Sequence, residues 1–287
     1  MQLSSPSIAC SSVINMIFRA ALLSLLAALA NPLAIPLTSV DTLKNTYVLL
    51  RHGQSTSNVE GIISSDPSLS TTKKHPLTED GIKQSFAAGK SLYDLVSSQL
   101  NQLNPTIQFV SSPFARTRQT TMNAIDGFLA SVKPADEFSL NGLSCQGMSA
   151  DAVNDATVYT DFFRERFFGK LDGMKLSTYA YVWPVDKMDT VNSGFGCESV
   201  DEVYTRVNMG IALCERRWSQ QTIVVVSHAD TLQILQTGGA RGATLGGDIG
   251  DFSDYRFKNG EVRVLRQGEL PPPENMEPPA RWSQGNV

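Results

Sequence analysis

The chain has 287 residues, of which 41% are hydrophobic, and its formal net charge is -4 at pH 7. This length and apolar content are those of a globular protein with a well-filled core, which we expect to be one domain with extensions. The mild acidity provides no broad basic field, which argues against nucleic acid and anionic membrane surfaces as general partners. An anionic ligand would therefore need a local cluster of Arg or His side chains.

The first forty residues have the composition of a targeting segment. No acidic residue precedes Asp41, Arg19 is the only charge before it, and residues 20–30 form an almost unbroken apolar run. The run is shorter than the roughly 20 apolar residues that span a bilayer, and it suits a signal-peptide core with a small-residue cleavage site at 28–30. We predict secretory or extracellular targeting and no stable membrane span in the mature chain. The alternatives are an organelle transit peptide and an uncleaved anchor extending to Leu37.

Strands and helices alternate in the central part of the chain. Three apolar, largely β-branched runs are typical of strands buried on both faces of a parallel sheet. These runs are residues 46–50, 107–110 and 223–227. Three stretches between them have helical periodicity or helix-start signals. These stretches are residues 79–98 after the N-cap Thr78, 114–130 and 199–218. The alternation predicts a three-layer α/β fold with a mostly parallel central sheet flanked by helices.

The C-terminal part of the chain predicts a hairpin and then a tail. The turn dipeptide Asn259-Gly260 lies between the short runs 255–257 and 262–265, a pattern typical of a β-hairpin. Five prolines follow Gly268, and we expect residues 268–287 to be disordered. The folded domain is therefore predicted to cover residues 41–267.

The four cysteines give no framework of cross-links. They are Cys10, Cys145, Cys197 and Cys214, and none are spaced as CxxC. This spacing predicts neither a disulfide framework nor a zinc site. We expect Cys197 and Cys214 to be buried thiols.

Cationic and nucleophilic side chains follow the predicted strands at the points where the strands end. Arg51 and His52 come directly after the first strand, and His228 follows the last strand in the same way. Arg116 begins a helix just after the second strand. Open α/β sheets place their ligands at the carboxyl ends of strands, so these four groups are expected to converge there. Two Arg and two His suit phosphoryl transfer, which needs charge neutralisation of the oxygens and an in-line nucleophile.

The surrounding motifs are similar to those of a known family. Residues 50–58 (LRHGQSTSN) resemble the opening signature of the histidine phosphatase, or phosphoglycerate mutase-like, superfamily. Further segments resemble that family in the same order. They are residues 77–84 (LTEDGIKQ), 111–120 (SSPFARTRQT), 164–169 (RERFFG) and 227–228 (SH). The resemblance covers about residues 46–236.

The resemblance implies a role for each matching position. His52 would be the nucleophile that forms a phosphohistidine, and Glu165 would protonate the leaving alkoxide and then deprotonate water. Four side chains would surround the phosphoryl group: Arg51, Arg116, His228 and, nearby, Asn58. The residue types suit these roles, because a neutral imidazole is a good nucleophile near pH 7 and Arg stays charged. The scheme requires no metal and no cofactor, and its partner is a small phosphorylated substrate.

Some neighbouring residues depart from the family pattern or serve as controls. Ala229 stands where family members commonly have Gly or Gln, and Asp230 follows it. A carboxylate is repelled by phosphate, so we expect Asp230 to turn away or to recognise a hydroxyl. Arg118 and Arg166 are interpreted as solvated or salt-bridged helix charges, not ligands. We expect His75 to be solvent exposed, with a place at the pocket rim as the alternative.

Two other functions compete with a phosphoric monoester hydrolase. A phosphoglycerate mutase would use the same phosphohistidine, but true mutases have a Gly-Trp-type turn soon after the signature, and residues 62–67 contain no Trp. A catalytically retired module that binds a phosphorylated partner would usually have lost one site residue, and none is missing. Phosphatase is therefore the favoured function. The sequence specifies neither the substrate nor the oligomeric state.

Overall fold

The computed structural model describes residues 43–99, 105–144, 148–242 and 248–274. The predicted targeting segment 1–40 lies outside the described residues, as does most of the predicted tail. The part of that tail within the described range forms neither helix nor strand. Within the described ranges, no helix is both long enough and apolar enough to cross a membrane.

A seven-stranded sheet forms the centre of the described residues. Its strands are β1 (Thr46–Arg51), β2 (Thr106–Ser111), β3 (Ser139–Leu140), β4 (Leu143–Ser144), β5 (Val158–Tyr159), β6 (Thr222–Ser227) and β7 (Val262–Val264). The order is β4-β3-β2-β6-β1-β7, and β5 also pairs with β2. The three long strands β2, β6 and β1 are parallel neighbours, whereas β7 is antiparallel to β1. The predicted α/β class with a mostly parallel sheet is confirmed.

Helices cover both faces of this sheet. They are α1 (Thr56–Glu60), α2 (Glu79–Asp94), α3 (Ala115–Leu129), α4 (Ala150–Asp155), α5 (Trp183–Asp186), α6 (Val200–Arg217) and α7 (Ala229–Arg241). On one face, Val48 and Val224 pack in a buried cluster with Leu92 of α2 and Phe128 of α3. On the other face, the hydroxyl of Tyr47 donates to the carbonyl of Ile211 in α6. The alternation of side chains along a strand separates these two faces and produces the three layers.

The helix starts agree with the capping signals in the sequence. The side chain of Thr78 accepts a hydrogen bond from Gly81 N at the start of α2. Ser199 and Glu202 form a capping box at the start of α6. Each cap satisfies backbone N–H groups that have no partner within the helix.

The predicted C-terminal hairpin is wrong. Residues 255–257 form no strand, and β7 pairs with β1, with Arg263 opposite Leu49. The turn at Asn259-Gly260 is present, with Gly260 at φ +73°, and Gly260 N donates to the carbonyl of Arg51. The sequence of residues 255–265 does not show that residues 262–264 have another strand to pair with. The edge of β1 is open, and β7 pairs with it.

Candidate active site

The proposed site lies at the carboxyl ends of the three long strands. In the parallel register Arg51 is opposite Ser227, and Ser111 is opposite Val226, so the three strands end side by side. His52 follows β1, and His228 is the N-cap residue of α7, directly after β6. Arg116 lies in the first turn of α3, just beyond β2. The strand ends therefore bring together the four groups predicted to converge.

Arg116 connects the two histidines. Its Nε donates to His52 Nε2 at 3.2 Å and to His228 Nδ1 at 3.1 Å. The imidazole centroids are 5.1 Å apart. The remaining guanidinium nitrogens donate to Ser64, Nη1 to Oγ at 3.2 Å and Nη2 to the carbonyl oxygen at 2.8 Å. All of these groups are buried, so the guanidinium is held in one orientation between two imidazoles.

His52 has the protonation state that a nucleophile requires. Its Nδ1 lies 2.7 Å from the carbonyl oxygen of Gly53, which assigns the ring proton to Nδ1 and leaves a lone pair on Nε2. Burial lowers the pKa of His52 well below its usual value, and the charges of Arg116 and Arg51 lower it further. The imidazole is therefore neutral near pH 7, with Nε2 directed at Arg116.

His228 is held in a similar way on the other side of Arg116. Its Nε2 lies 2.8 Å from Ser112 Oγ, and its Nδ1 accepts from Arg116. Burial lowers the pKa of His228 well below its usual value, and Arg116 and His52 add to the effect. Phe114 packs edge-on against the ring, with centroids 5.1 Å apart.

Arg51 and Asn58 line the same cavity, with different hydrogen-bond roles. Nη1 of Arg51 donates to the carbonyl oxygen of Phe257 at 2.5 Å. Its buried Nε has no hydrogen-bond partner among the described residues, so it can donate to a ligand oxygen. Oδ1 of Asn58 accepts from Ser55 N at 3.0 Å within a capping box at the start of α1. This contact helps to shape the loop after His52, and Asn58 also lines the cavity, so its place beside a phosphoryl group stays a prediction.

Glu165 lines the cavity on a segment with neither helix nor strand. Its Oε1 accepts from Arg166 N at 2.9 Å, and only 8% of the residue is exposed. Burial raises the pKa of Glu165, although Arg116 and Arg51 act in the opposite direction. A raised pKa favours the protonated form, which is the form that can donate to a leaving group.

Ion pairs fix the chain on both sides of Glu165. Arg164 binds Glu198 at 2.9 Å, and fully buried Arg166 binds Asp186 at 2.6 Å and 2.8 Å. The prediction for Arg166 is partly wrong: it is salt-bridged and not a ligand, but it is neither solvated nor on a helix. Single-residue patterns cannot show that a buried carboxylate twenty positions later neutralises it.

Asp230 does not turn away from the cavity; it lines it, with 2% of the residue exposed. Trp183 Nε1 donates to its Oδ2 at 3.1 Å, and Arg166 Nη1 lies 3.7 Å from the same oxygen. Burial, and secondly the nearby Glu165, raise the pKa of Asp230 to about 7. Two carboxyl groups of raised pKa therefore share one wall of the site.

The cavity has a volume of about 480 Å³. The sequence reasoning missed several of its lining residues, among them Ser64, Tyr179, Trp183 and Arg256. Tyr179 and Trp183 stack with ring centroids 4.5 Å apart and planes at 10°. Tyr179 lies in a 3₁₀ segment (Leu176–Tyr181) and Trp183 in a single turn of helix, so neither carries a periodic signal.

The other residues that the sequence analysis singled out, His75, Arg118, Cys197 and Cys214, do not line this cavity. His75 is half-buried, and its Nδ1 lies 2.7 Å from Ser64 Oγ, so it contacts a lining residue without lining the cavity itself. Arg118 lies over the ring of Tyr159 at 4.0 Å. Cys197 and Cys214 are buried free thiols, as expected. Among the described ranges, no group of His, Cys, Asp and Glu side chains is arranged to hold a metal ion.

With this geometry, the chain belongs to the histidine phosphatase superfamily (branch 1), whose family model matches residues 47–154 and 144–269. A phosphoglycerate mutase-like protein of Arabidopsis thaliana is 35% identical over 91 residues. That region is 30% of this chain and 31% of the relative, so the chain matches less than a third of that protein's length.

Solved structures of low sequence identity share the fold. The product of an open reading frame of Mycobacterium tuberculosis has a TM-score of 0.53 and 20% identity, over 80% of this chain and 97% of that one. A mycobacterial glucosyl-3-phosphoglycerate phosphatase has a TM-score of 0.52 and 17% identity, over 77% and 89%. A phosphoserine phosphatase from Entamoeba histolytica has a TM-score of 0.50 and 15% identity, over 79% and 94%.

Proposed function

We propose that this protein is a phosphatase that hydrolyses a small phosphomonoester through a phosphohistidine on His52. The observation that carries the proposal is the position of Arg116, whose Nε lies within hydrogen-bond distance of both His52 Nε2 and His228 Nδ1. A phosphoryl oxygen bound by Arg116 would place phosphorus next to the lone pair of His52. The phosphatases among the solved relatives, named above, are in keeping with this reaction class.

In the first step, His52 Nε2 forms a bond to phosphorus while the ester P–O bond breaks. The guanidinium groups of Arg51 and Arg116 neutralise charge on the phosphoryl oxygens, and His228 borders them. The carboxyl proton of Glu165 passes to the leaving oxygen, since burial raises the pKa of that carboxyl group and so favours its protonated form.

In the second step, the Glu165 carboxylate takes a proton from water. The water oxygen bonds to phosphorus, the N–P bond breaks, and its electron pair returns to His52 Nε2. Glu165 thus regains its proton, and free phosphate is the product. The step requires the carboxylate and the nucleophile to lie on one cavity, as they do here.

A phosphoenzyme-trapping experiment tests the nucleophile. We expect a labelled aryl phosphate to leave acid-labile label on the wild-type chain and none on His52→Ala. His75→Ala is the matched control, because this third histidine does not line the cavity, and it should still take label. Equal labelling of wild type and His52→Ala would overturn the mechanism.

A comparison of alkyl and aryl leaving groups tests whether Glu165 is the general acid. An alkoxide needs a proton as it leaves and an aryl oxide much less, so Glu165→Gln should slow alkyl phosphate hydrolysis by about 100-fold or more and aryl phosphate hydrolysis less. In the wild type, alkyl phosphate hydrolysis should slow at alkaline pH as Glu165 loses its proton, and this slowing should be absent in Glu165→Gln. Equal slowing of both substrates would exclude Glu165 as the acid.

The mutase alternative has its own assay. The protein is incubated with 3-phosphoglycerate and a bisphosphoglycerate primer, and both isomer formation and phosphate release are measured. We expect phosphate release, in keeping with the lack of Trp in residues 62–67. Efficient isomer formation without free phosphate would establish a mutase.

A further inference from the structure

Asp230 is a buried carboxylate in the cavity that the proposed reaction does not use. The contacts described for it, from Trp183 Nε1 and Arg166 Nη1, both reach Oδ2. Among the described residues, these contacts leave Oδ1 available to a ligand. A carboxylate oxygen that lines a cavity and has no protein donor can accept a hydrogen bond from a ligand.

The donor that orients Asp230 is itself immobilised. Tyr179 stacks on one face of the Trp183 ring at 4.5 Å, and the guanidinium of Arg256 lies over the ring at 5.3 Å. A stack at that distance leaves no room for a guanidinium on the same face, so Arg256 covers the other face. Trp183 is therefore held between two groups, and its Nε1–H fixes the plane of the Asp230 carboxylate. Such pre-organisation is typical of a specificity group.

The charges around the cavity narrow the class of ligand. A substrate carboxylate placed at Asp230 would be repelled by the negative charge of the Asp230 carboxylate. A substrate ammonium would share the cavity with three guanidinium groups, those of Arg51, Arg116 and Arg256. A neutral hydroxyl meets neither repulsion, and it can donate a hydrogen bond to a carboxylate.

We propose that Asp230 accepts a hydrogen bond from a hydroxyl of the alcohol part of the substrate, so that the site prefers phosphorylated polyols to monoesters of simple alcohols. The preference among substrates in the rate of hydrolysis rests on the proposed function, whereas the hydrogen bond between Asp230 and the hydroxyl does not. Glu165 and Asp230 then have separate tasks on one wall: Glu165 serves the leaving oxygen, and Asp230 recognises a hydroxyl on a neighbouring carbon.

The test compares three monoesters of equal carbon number: glycerol 1-phosphate, n-propyl phosphate and 3-aminopropyl phosphate. In the wild type, kcat/KM for the glycerol ester should exceed that for the propyl ester by about tenfold or more, the effect of one hydrogen bond to a charged group. The ratio should fall to within about threefold in Asp230→Ala. Asp230→Asn, which keeps the shape and an acceptor, should show an intermediate ratio.

Further variants keep the test informative if Asp230→Ala does not fold. Trp183→Phe keeps the aromatic stack but removes the Nε1–H, and it should lower the ratio by several-fold. Asp80→Asn, which removes an exposed carboxylate on α2, is the control and should keep the wild-type ratio. A wild type that prefers the propyl or aminopropyl ester, or an unchanged ratio in Asp230→Ala, would overturn the proposal.

Binding to His52→Ala separates this inference from the proposed function. Calorimetric Kd values for the glycerol and propyl esters do not depend on turnover, and the glycerol ester should bind about tenfold more tightly. A binding preference without any phosphoenzyme in the wild type would overturn the proposed function alone. Phosphoenzyme formation with equal Kd values for the two esters would overturn the inference alone.

Discussion

The pKa of Asp230 has a measurable consequence for stability. Burial and Glu165 raise it to about 7, against about 3.9 in an unfolded chain. The folded state therefore binds the proton of Asp230 more tightly than the unfolded chain does. The stabilisation that results is complete below about pH 4 and is lost as the pH rises to about 7. A difference of about 3 pH units at about 1.36 kcal/mol each makes the loss about 4 kcal/mol. With 2% of the residue exposed, solvent screens little of it.

Asp230→Asn removes this titration and keeps the shape of the side chain. The free energy of unfolding of the variant minus that of the wild type should therefore grow by about 4 kcal/mol between pH 4 and pH 8. Urea unfolding followed by tryptophan fluorescence at closely spaced pH values measures it. The charged groups that act on Asp230 are Glu165, Arg166 and Asp186. A flat or shrinking difference for Asp230→Asn would refute the reasoning.

Three other substitutions test the site and its supports. Arg116→Lys keeps the charge but loses the planar contact with both imidazoles, so kcat/KM for an aryl phosphate should fall about 100-fold or more. Gly81→Ala would place Cβ 2.0 Å from a backbone oxygen and should lower the free energy of unfolding by about 3 kcal/mol, whereas Gly194→Ala, in open space, should change it by less than about 1 kcal/mol. Asp186→Asn leaves Arg166 buried without its main partner and should cost about 3–5 kcal/mol in urea unfolding.

The strand ends explain why much of the site could be predicted. The runs around β1, β2 and β6 are continuous and apolar, so their ends and the residues just beyond them are visible in the sequence. Parallel pairing then aligns those ends, and His52 and His228 come together without any further information. The same logic locates Arg116, one short turn after β2.

The part of the cavity lined by Tyr179, Trp183 and Asp230 could not be predicted in this way. Tyr179 and Trp183 lie in short turns that have no apolar period, so only the tertiary structure shows that they face the cavity. The sequence does not specify the environment of Asp230 for a related reason: the Trp183 donor that holds it is 47 positions away. The hairpin prediction was wrong because a turn dipeptide does not reveal which edge the following strand will pair with.

The buried ion pair between Arg166 and Asp186 connects the segment that contains Glu165 with the segment that contains Trp183. Arg166 follows Glu165, and its partner Asp186 ends the helical turn that begins with Trp183. The pair therefore ties the segment with the proposed acid to the segment that orients Asp230. Buried ion pairs add little net stability compared with well-packed apolar residues. We interpret this one as specifying geometry: it holds Glu165, the proposed proton donor, at a fixed distance from Asp230, the proposed hydroxyl acceptor. If both roles are correct, that distance selects the alcohol that fits as the leaving group.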